Sequence, residues 1–160
     1  MQMAFLHRFL KALKQENINI GLETSGLFPL ERFQTHVLPY LDFIYFDLKL
    51  MDSEESRKYT GCSNESIIEN FLFLYFETAV PTIARIPLIP DITATEKNLK
   101  AVSQFLKMHG VTACALMPYN PLWQDKAVKN GIETRYSHPG FMTPEAIEYC
   151  LEFFSRPSGV

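Results

Sequence analysis

Asp47 and Lys49 stand two residues apart in the stretch FIYFDLKLMD (43–52), whose opening residues read as a buried strand. Alternate residues of an extended chain share a face, so the carboxylate and the ammonium lie side by side. A lysine so placed suits a ligand carboxylate as a point-charge partner, with the aspartate holding its ammonium and offsetting its desolvation. Other polar groups fall at comparable places: Glu23 and Thr24 near the end of INIGLETS (18–25), Arg85 within PTIARIPLIP (81–90), and Asn120 closing TACALMPYN (112–120). The bland alternative is a structural ion-pair network of Glu23, Asp47, Lys49 and Arg85. Desolvating each ion costs several kcal/mol, however, and pairing only roughly recovers it. Such charges also tend to gather at functional sites, which favours the ligand reading.

The elements that must position these residues are legible as alternating helices and strands. Phe5, Leu6, Phe9, Leu10 and Leu13 recur at helical spacing, which predicts an amphipathic first helix with those residues on the core. The strands are expected at 18–25, from 43, at 81–90 and at 112–120. Helices are expected near 29–39, at 65–77 with Ser63 or Asn64 as cap, and from a Thr93-x-x-Glu96 capping box to Gly110. Residues 121–142 lack clear periodicity beyond a short helix near Trp123–Lys129. Thr143-Pro144 opens a last helix with Ile147, Cys150, Leu151 and Phe154 inward.

Helix followed by four βα units implies parallel strands joined by right-handed crossovers. Both a doubly wound sheet and a partial barrel satisfy that order. Alternation separates Ile44, Phe46, Leu48 and Leu50 from Tyr45, Asp47 and Lys49, and Ile18, Ile20 and Leu22 from Asn19, Gly21 and Glu23. A doubly wound sheet buries both faces, whereas a partly open barrel keeps a wet lumen for the polar face, so the partial parallel (β/α) barrel is preferred. In parallel α/β folds ligands sit at the carboxyl ends of strands, where these polar residues lie.

At 160 residues, a single domain spanning the chain is expected, large enough to bury roughly 70% of its unfolded surface. The net charge of −3 provides no basic stripe, which argues against nucleic acid as a partner. Cys62, Cys114 and Cys150 are few, odd in number and far apart, as free thiols in a reducing compartment would be. His7 and Arg8 interrupt any signal-peptide core, and FLFLYF (71–76) is too short to span a bilayer. No membrane partner is expected, and the cytoplasm is the expected location.

The segments LETSG (22–26), FDLKLMDSEESRKYTGCSN (46–64), ARIPLIPDIT (84–93) and LMPYNPLW (116–123) resemble successive strand-end motifs of the radical S-adenosylmethionine enzymes. Within these they are most similar to the glycyl-radical-enzyme activating enzymes, of which pyruvate formate-lyase activating enzyme is the type. The resemblance implies a portion of a (β/α)6 barrel, an S-adenosylmethionine cofactor, a 4Fe–4S cluster, and a glycyl radical enzyme as partner. Family members reductively cleave the cofactor to a radical that abstracts hydrogen from a glycine of that partner. Carried over position by position, Asp47 and Lys49 help hold the amino-acid end of S-adenosylmethionine, with Arg85 nearby. Asn120 stands where a histidine often contacts the adenosine. Glu23 and Thr24 match a strand end that helps hold a monovalent cation, with Glu in place of the usual Asp.

Two family motifs are missing from this sequence: the Cys-x3-Cys-x2-Cys loop that holds the cluster, and the Gly-Gly-Glu that binds the amino group. The chain therefore resembles barrel strands three to six, with Met1 an internal methionine. It is expected to hold no cluster by itself, to be catalytically incomplete, and to expose its first strand as an edge prone to self-association. A ribonucleotide reductase activator-like enzyme, a non-catalytic partner-binding half-barrel and an unrelated α/β domain are the other readings.

Overall fold

The computed structural model describes residues 2–133, 136–138 and 140–155. Helix α1 (Met3–Gln15) leads into strand β1 (Gly21–Thr24), followed by α2 (Leu30–His36) and a short 3-10 turn, Leu38–Tyr40. Strand β2 (Phe43–Asp47) is followed by two helices, α3 (Ser53–Thr60) and α4 (Glu65–Phe76), before β3 (Thr82–Leu88). Helix α5 (Glu96–Met108), β4 (Cys114–Pro118), α6 (Trp123–Lys129) and α7 (Pro144–Glu152) complete the order. The strands form one sheet in the order β1-β2-β3-β4, and the registers of β1 with β2 and of β2 with β3 are parallel. The expected parallel α/β class is thus the one observed.

The chain divides into two compact units, Met1–Arg85 with Ala113–Ala115, and Ile86–Thr112 with Leu116–Val160. In the first, Ile44, Phe46, Leu48 and Leu50 are buried with Phe33, Val37, Phe71 and Leu74, and the Phe46 and Phe71 rings meet edge-on at 5.3 Å. In the second, Ile86, Leu88, Leu99, Val102, Leu106 and Cys150 are buried.

Several local expectations are corrected. Helix α3 lacks an apolar period but is capped at both ends. The Asp52 carboxylate accepts from the Glu54 and Glu55 N–H groups, and Gly61 closes the helix at φ 81°. Thr95, not Thr93, caps α5 by accepting from Asn98 N–H at 3.3 Å, because the buried Thr93 hydroxyl accepts from Ile89 N–H and donates to Pro87 O instead. On α1 only Leu10 is buried, while Phe5 and Phe9 are exposed and stack on each other, their centroids 5.9 Å apart. Leu151 of α7 is exposed, whereas Thr143 caps that helix as expected. Of the 121–142 connection, residues 134, 135 and 139 lie outside the described residues.

One ion pair ties α1 to the start of β2. Lys14 Nζ donates to both oxygens of Asp42, at 2.7 and 2.6 Å, and Ile20 N–H donates to Oδ2 at 2.6 Å. The Lys14 hydrogen bond, then that of Ile20, holds the Asp42 carboxyl below its ordinary range. A carboxyl depressed on folding adds stability above its unfolded pKa and loses it as pH falls through the folded value. Asp42→Asn should therefore lower the thermal midpoint at neutral pH. The gap from wild type should narrow on acidification below about pH 4, the ordinary aspartate range. Thermal melts between neutral pH and pH 2 check this; a gap constant through that range would refute it.

Candidate functional site

Residues on either side of Asp47 sort by alternation. Tyr45, Asp47 and Lys49 are half-buried on one face, while Ile44, Phe46, Leu48 and Leu50 are buried on the other. The register sets Asp47 directly beside Arg85, and Leu48 N–H donates to Arg85 O at 2.8 Å, continuing the ladder past β2. Arg85 alternates with the buried Ala84 and Ile86 and so shares the face of Asp47.

The four charges converge. Arg85 Nε and Nη2 donate to Asp47 Oδ1 at 2.9 and 2.8 Å, and Nη1 reaches Glu23 Oε1 at 2.8 Å. Lys49 Nζ donates to Asp47 Oδ2 at 3.0 Å. The Arg85 guanidinium also lies 5.5 Å from the centre of the Tyr45 ring. Burial by itself would lower the Arg85 pKa, but hydrogen bonds to Glu23 and Asp47 outweigh it and push the pKa up. Asp47 and Arg85 are the inner pair, with side chains 17% and 14% exposed, whereas Lys49 is 33% and Glu23 65% exposed. Two acids and two bases cancel, so the cluster is neutral, with one cation toward its rim. A neutral pair of opposite charges can meet the carboxylate and ammonium of an amino-acid-like ligand without leaving a net charge.

Thr24 and Asn120 lie apart from the charge cluster, and Glu23 is committed within it. Thr24 alternates with Glu23 and therefore faces away from the charges, its Oγ1 accepting from Gly26 N–H at 3.0 Å. Glu23 Oε1 is engaged by Arg85, an arrangement that competes with cation binding. Asn120 belongs to the second unit, where it is exposed and its Oδ1 accepts from Leu122 N–H at 2.9 Å.

Sequence reasoning missed a cavity of about 300 Å³ beyond the end of β2. Leu27, Leu50, Met51, Ile67 and Ile68 form its apolar wall, and Asp47 and Lys49 also line it. Two of its hydroxyls are engaged within the wall: Ser56 donates to Cys62 O at 2.9 Å and Thr60 to Ser56 O at 2.8 Å. Two buried amides, Asn64 and Asn70, were missed as well. Polar residues set among apolar ones at helical spacing were the signal available. Cys62 lines the cavity, Cys114 begins β4 and is exposed, and Cys150 is buried on α7. Among the described residues no three or more His, Cys, Asp or Glu side chains group as metal ligands. The cluster donor set thus does not fit. Nor is any helix among the described residues long and apolar enough to cross a membrane.

A parallel α/β sheet carrying an ion cluster at its carboxyl end defines a class of ligand-binding folds, and comparison narrows it. The structure matches a solved domain of pyruvate-formate lyase-activating enzyme from Bacteroides vulgatus with TM-score 0.71 and 26% identity, over 94% of this chain and 84% of that one. By sequence, the chain is 32% identical over 127 residues to isethionate sulfite-lyase activating enzyme of Desulfovibrio desulfuricans, covering 79% of the chain and 40% of the relative. It is 36% identical over 106 residues to (2S)-3-sulfopropanediol dehydratase activating enzyme of Klebsiella oxytoca, covering 66% and 33%. It is 28% identical over 155 residues to 4-hydroxyphenylacetate decarboxylase activating enzyme of Clostridioides difficile, covering 96% and 49%. No family model matches. The chain is a homologue of the glycyl-radical-enzyme activating enzymes, as its strand-end motifs implied. It spans less than half the length of these curated relatives.

Proposed function

We propose that this chain carries the face that holds the amino-acid end of S-adenosylmethionine in a radical S-adenosylmethionine enzyme that activates a glycyl radical enzyme. The observation that carries the reading is Asp47, set by register against Arg85 and bonded through its other oxygen to Lys49 at the carboxyl end of β2. Lys49, at the rim, takes the cofactor carboxylate, and Asp47 holds the Lys49 ammonium and, with Glu23, fixes Arg85. The charged residues fit this end of the cofactor, which when bound supplies the radical precursor for hydrogen abstraction from a partner glycine. Among the described residues Cys62, Cys114 and Cys150 do not group as ligands for an iron–sulfur cluster. The chain alone is proposed to be catalytically incomplete.

The test joins this chain to a cysteine-bearing segment from one of its relatives and titrates S-adenosylmethionine by calorimetry. Saturable binding that weakens on substitution at Lys49 is expected. Absence of binding in a folded, iron-loaded protein would overturn the reading.

Self-association is proposed on separate grounds. Strand β1 lies at one end of the sheet order, hydrogen-bonded to β2, and Ile18 and Leu27 on either side of it are exposed. A strand edge of this kind is a template for pairing with another chain. Light scattering of the chain should show mass rising with concentration. A constant monomer mass over a hundredfold range of concentration would count against it.

A further inference from the structure

Two buried asparagines, six residues apart in sequence and both belonging to α4 or its start, each tie down a loop that follows a strand. Asn64 Nδ2 donates to Leu50 O at 2.9 Å and to Met51 O at 2.8 Å, in the loop directly after Lys49. Asn70 Nδ2 donates to Gly26 O at 2.8 Å and to Phe28 O at 2.9 Å, in the loop directly after β1. Their residues are 5% and 4% exposed, respectively. Although Asn64 occupies the cap position of α4, its side chain makes no capping bond there. The amide is turned instead toward the β2 loop. An amide NH2 has two protons, and each of these asparagines donates to two loop carbonyls.

The two loops do not merely connect elements. The first carries Ser25 and Leu27 and the second Leu50 and Met51, and all four line the cavity that Asp47 and Lys49 also line. Asn64 stands in that wall, as do Ile67 and Ile68 of α4. One helix and its cap therefore hold both strand-end loops that line the cavity.

We propose that Asn64 and Asn70 are positioning residues: α4 uses them to fix the strand-end loops so that Lys49 and the cavity wall are preformed for ligand. The inference rests on the reading of Asp47 and Lys49 as cofactor-holding residues. Each asparagine acts through the loop whose carbonyls it holds. The ties are separate, which makes their effects separable: Asn64 governs the loop after Lys49, and Asn70 governs the loop after β1.

The test uses the full chain with Asn64→Leu and Asn70→Leu, which keep the side-chain size and delete the donors. Hydrogen–deuterium exchange should rise about tenfold at residues 50–52 in Asn64→Leu and at residues 26–28 in Asn70→Leu, each leaving the other loop unchanged. Acetylation of Lys49 by a small amine-directed reagent, followed by mass spectrometry, should accelerate in Asn64→Leu and not in Asn70→Leu. Leu106→Ala, in the other compact unit, is the destabilised control and should leave both readouts at wild-type values. If a leucine variant does not fold, Asn64→Ser or Asn70→Ser, which keeps a shortened donor, carries the same comparison. Exchange that rises uniformly, or Lys49 acetylation unchanged in Asn64→Leu, would overturn the proposal. The experiment contains no S-adenosylmethionine, so its failure is distinct from failure of the cofactor reading, which the titration of the joined protein tests.

Discussion

Gly26→Ala is expected to cost the chain about 2–5 kcal/mol of stability, from two causes that act at one atom. Gly26 adopts φ 80°, in the left-handed region, where an L side chain costs roughly 1–2 kcal/mol. A Cβ built there would also stand 2.1 Å from Cζ of Phe46 and 2.7 Å from its Cε1. Phe46 is fully buried against Phe71, so the ring has no room to retreat. Overpacking of such a site typically costs about 1–3 kcal/mol. The same glycine presents the carbonyl that Asn70 holds, so the strain falls on the loop carrying Ser25 and Leu27. Urea unfolding measures the loss, and a double-mutant cycle with Phe46→Leu separates its parts. The smaller side chain should recover the packing share and leave the backbone share. A loss below about 1 kcal/mol, less than the backbone cost alone, would show that the loop adapts and that Gly26 is not required.

What the sequence disclosed follows from which physical signals are local. The sidedness of β2 was readable because a strand has a period of two, so Ile44 and Phe46 had to oppose Tyr45 and Asp47 wherever the strand packed. The meeting of Asp47 with Arg85 was readable as a shared polar face, but its one-to-one register depends on pairing between strands and was not. Helix α3 escaped notice because its residues carry no apolar period, and its signals were only the Asp52 cap and Gly61. Thr93 fitted the capping-box spacing as well as any residue could. Only the turn of residues 89–94, which places its hydroxyl against Ile89 and Pro87, leaves the cap to Thr95. Phe5 and Phe9 show the converse limit: helical spacing marks a candidate apolar face, yet does not say how much of it another element covers. Thr24 belonged to a matching strand end, but alternation turns it away from Glu23.

Lys49→Met should weaken S-adenosylmethionine binding about ten- to a hundredfold in a protein that joins this chain to a cysteine-bearing segment, while folding stays nearly unchanged. Methionine keeps the stem's volume and deletes the charge. A hydrogen bond to a charged group is worth about 1.5–3 kcal/mol, which converts to that change in affinity. The expectation for folding follows from how Asp47 is held. Lys49 bonds Oδ2 at 3.0 Å, but Arg85 places both Nε and Nη2 on Oδ1 at 2.9 and 2.8 Å. With Lys49 gone, the Asp47 carboxylate keeps its inner cation, and no buried charge is left without a partner. Lys49 is also one-third exposed, so solvent screens the bond it loses. Arg85→Met is the opposite case. It removes the cation that separates Asp47 from Glu23 and leaves a mostly buried carboxylate facing another acid, so the fold itself should weaken. Calorimetry with S-adenosylmethionine and thermal melts on both variants give the two quantities independently. Lys49 is a structural member of the network, and its assignment to the ligand is wrong, if Lys49→Met lowers the melting temperature as far as Arg85→Met while the protein that remains folded binds S-adenosylmethionine as tightly as wild type.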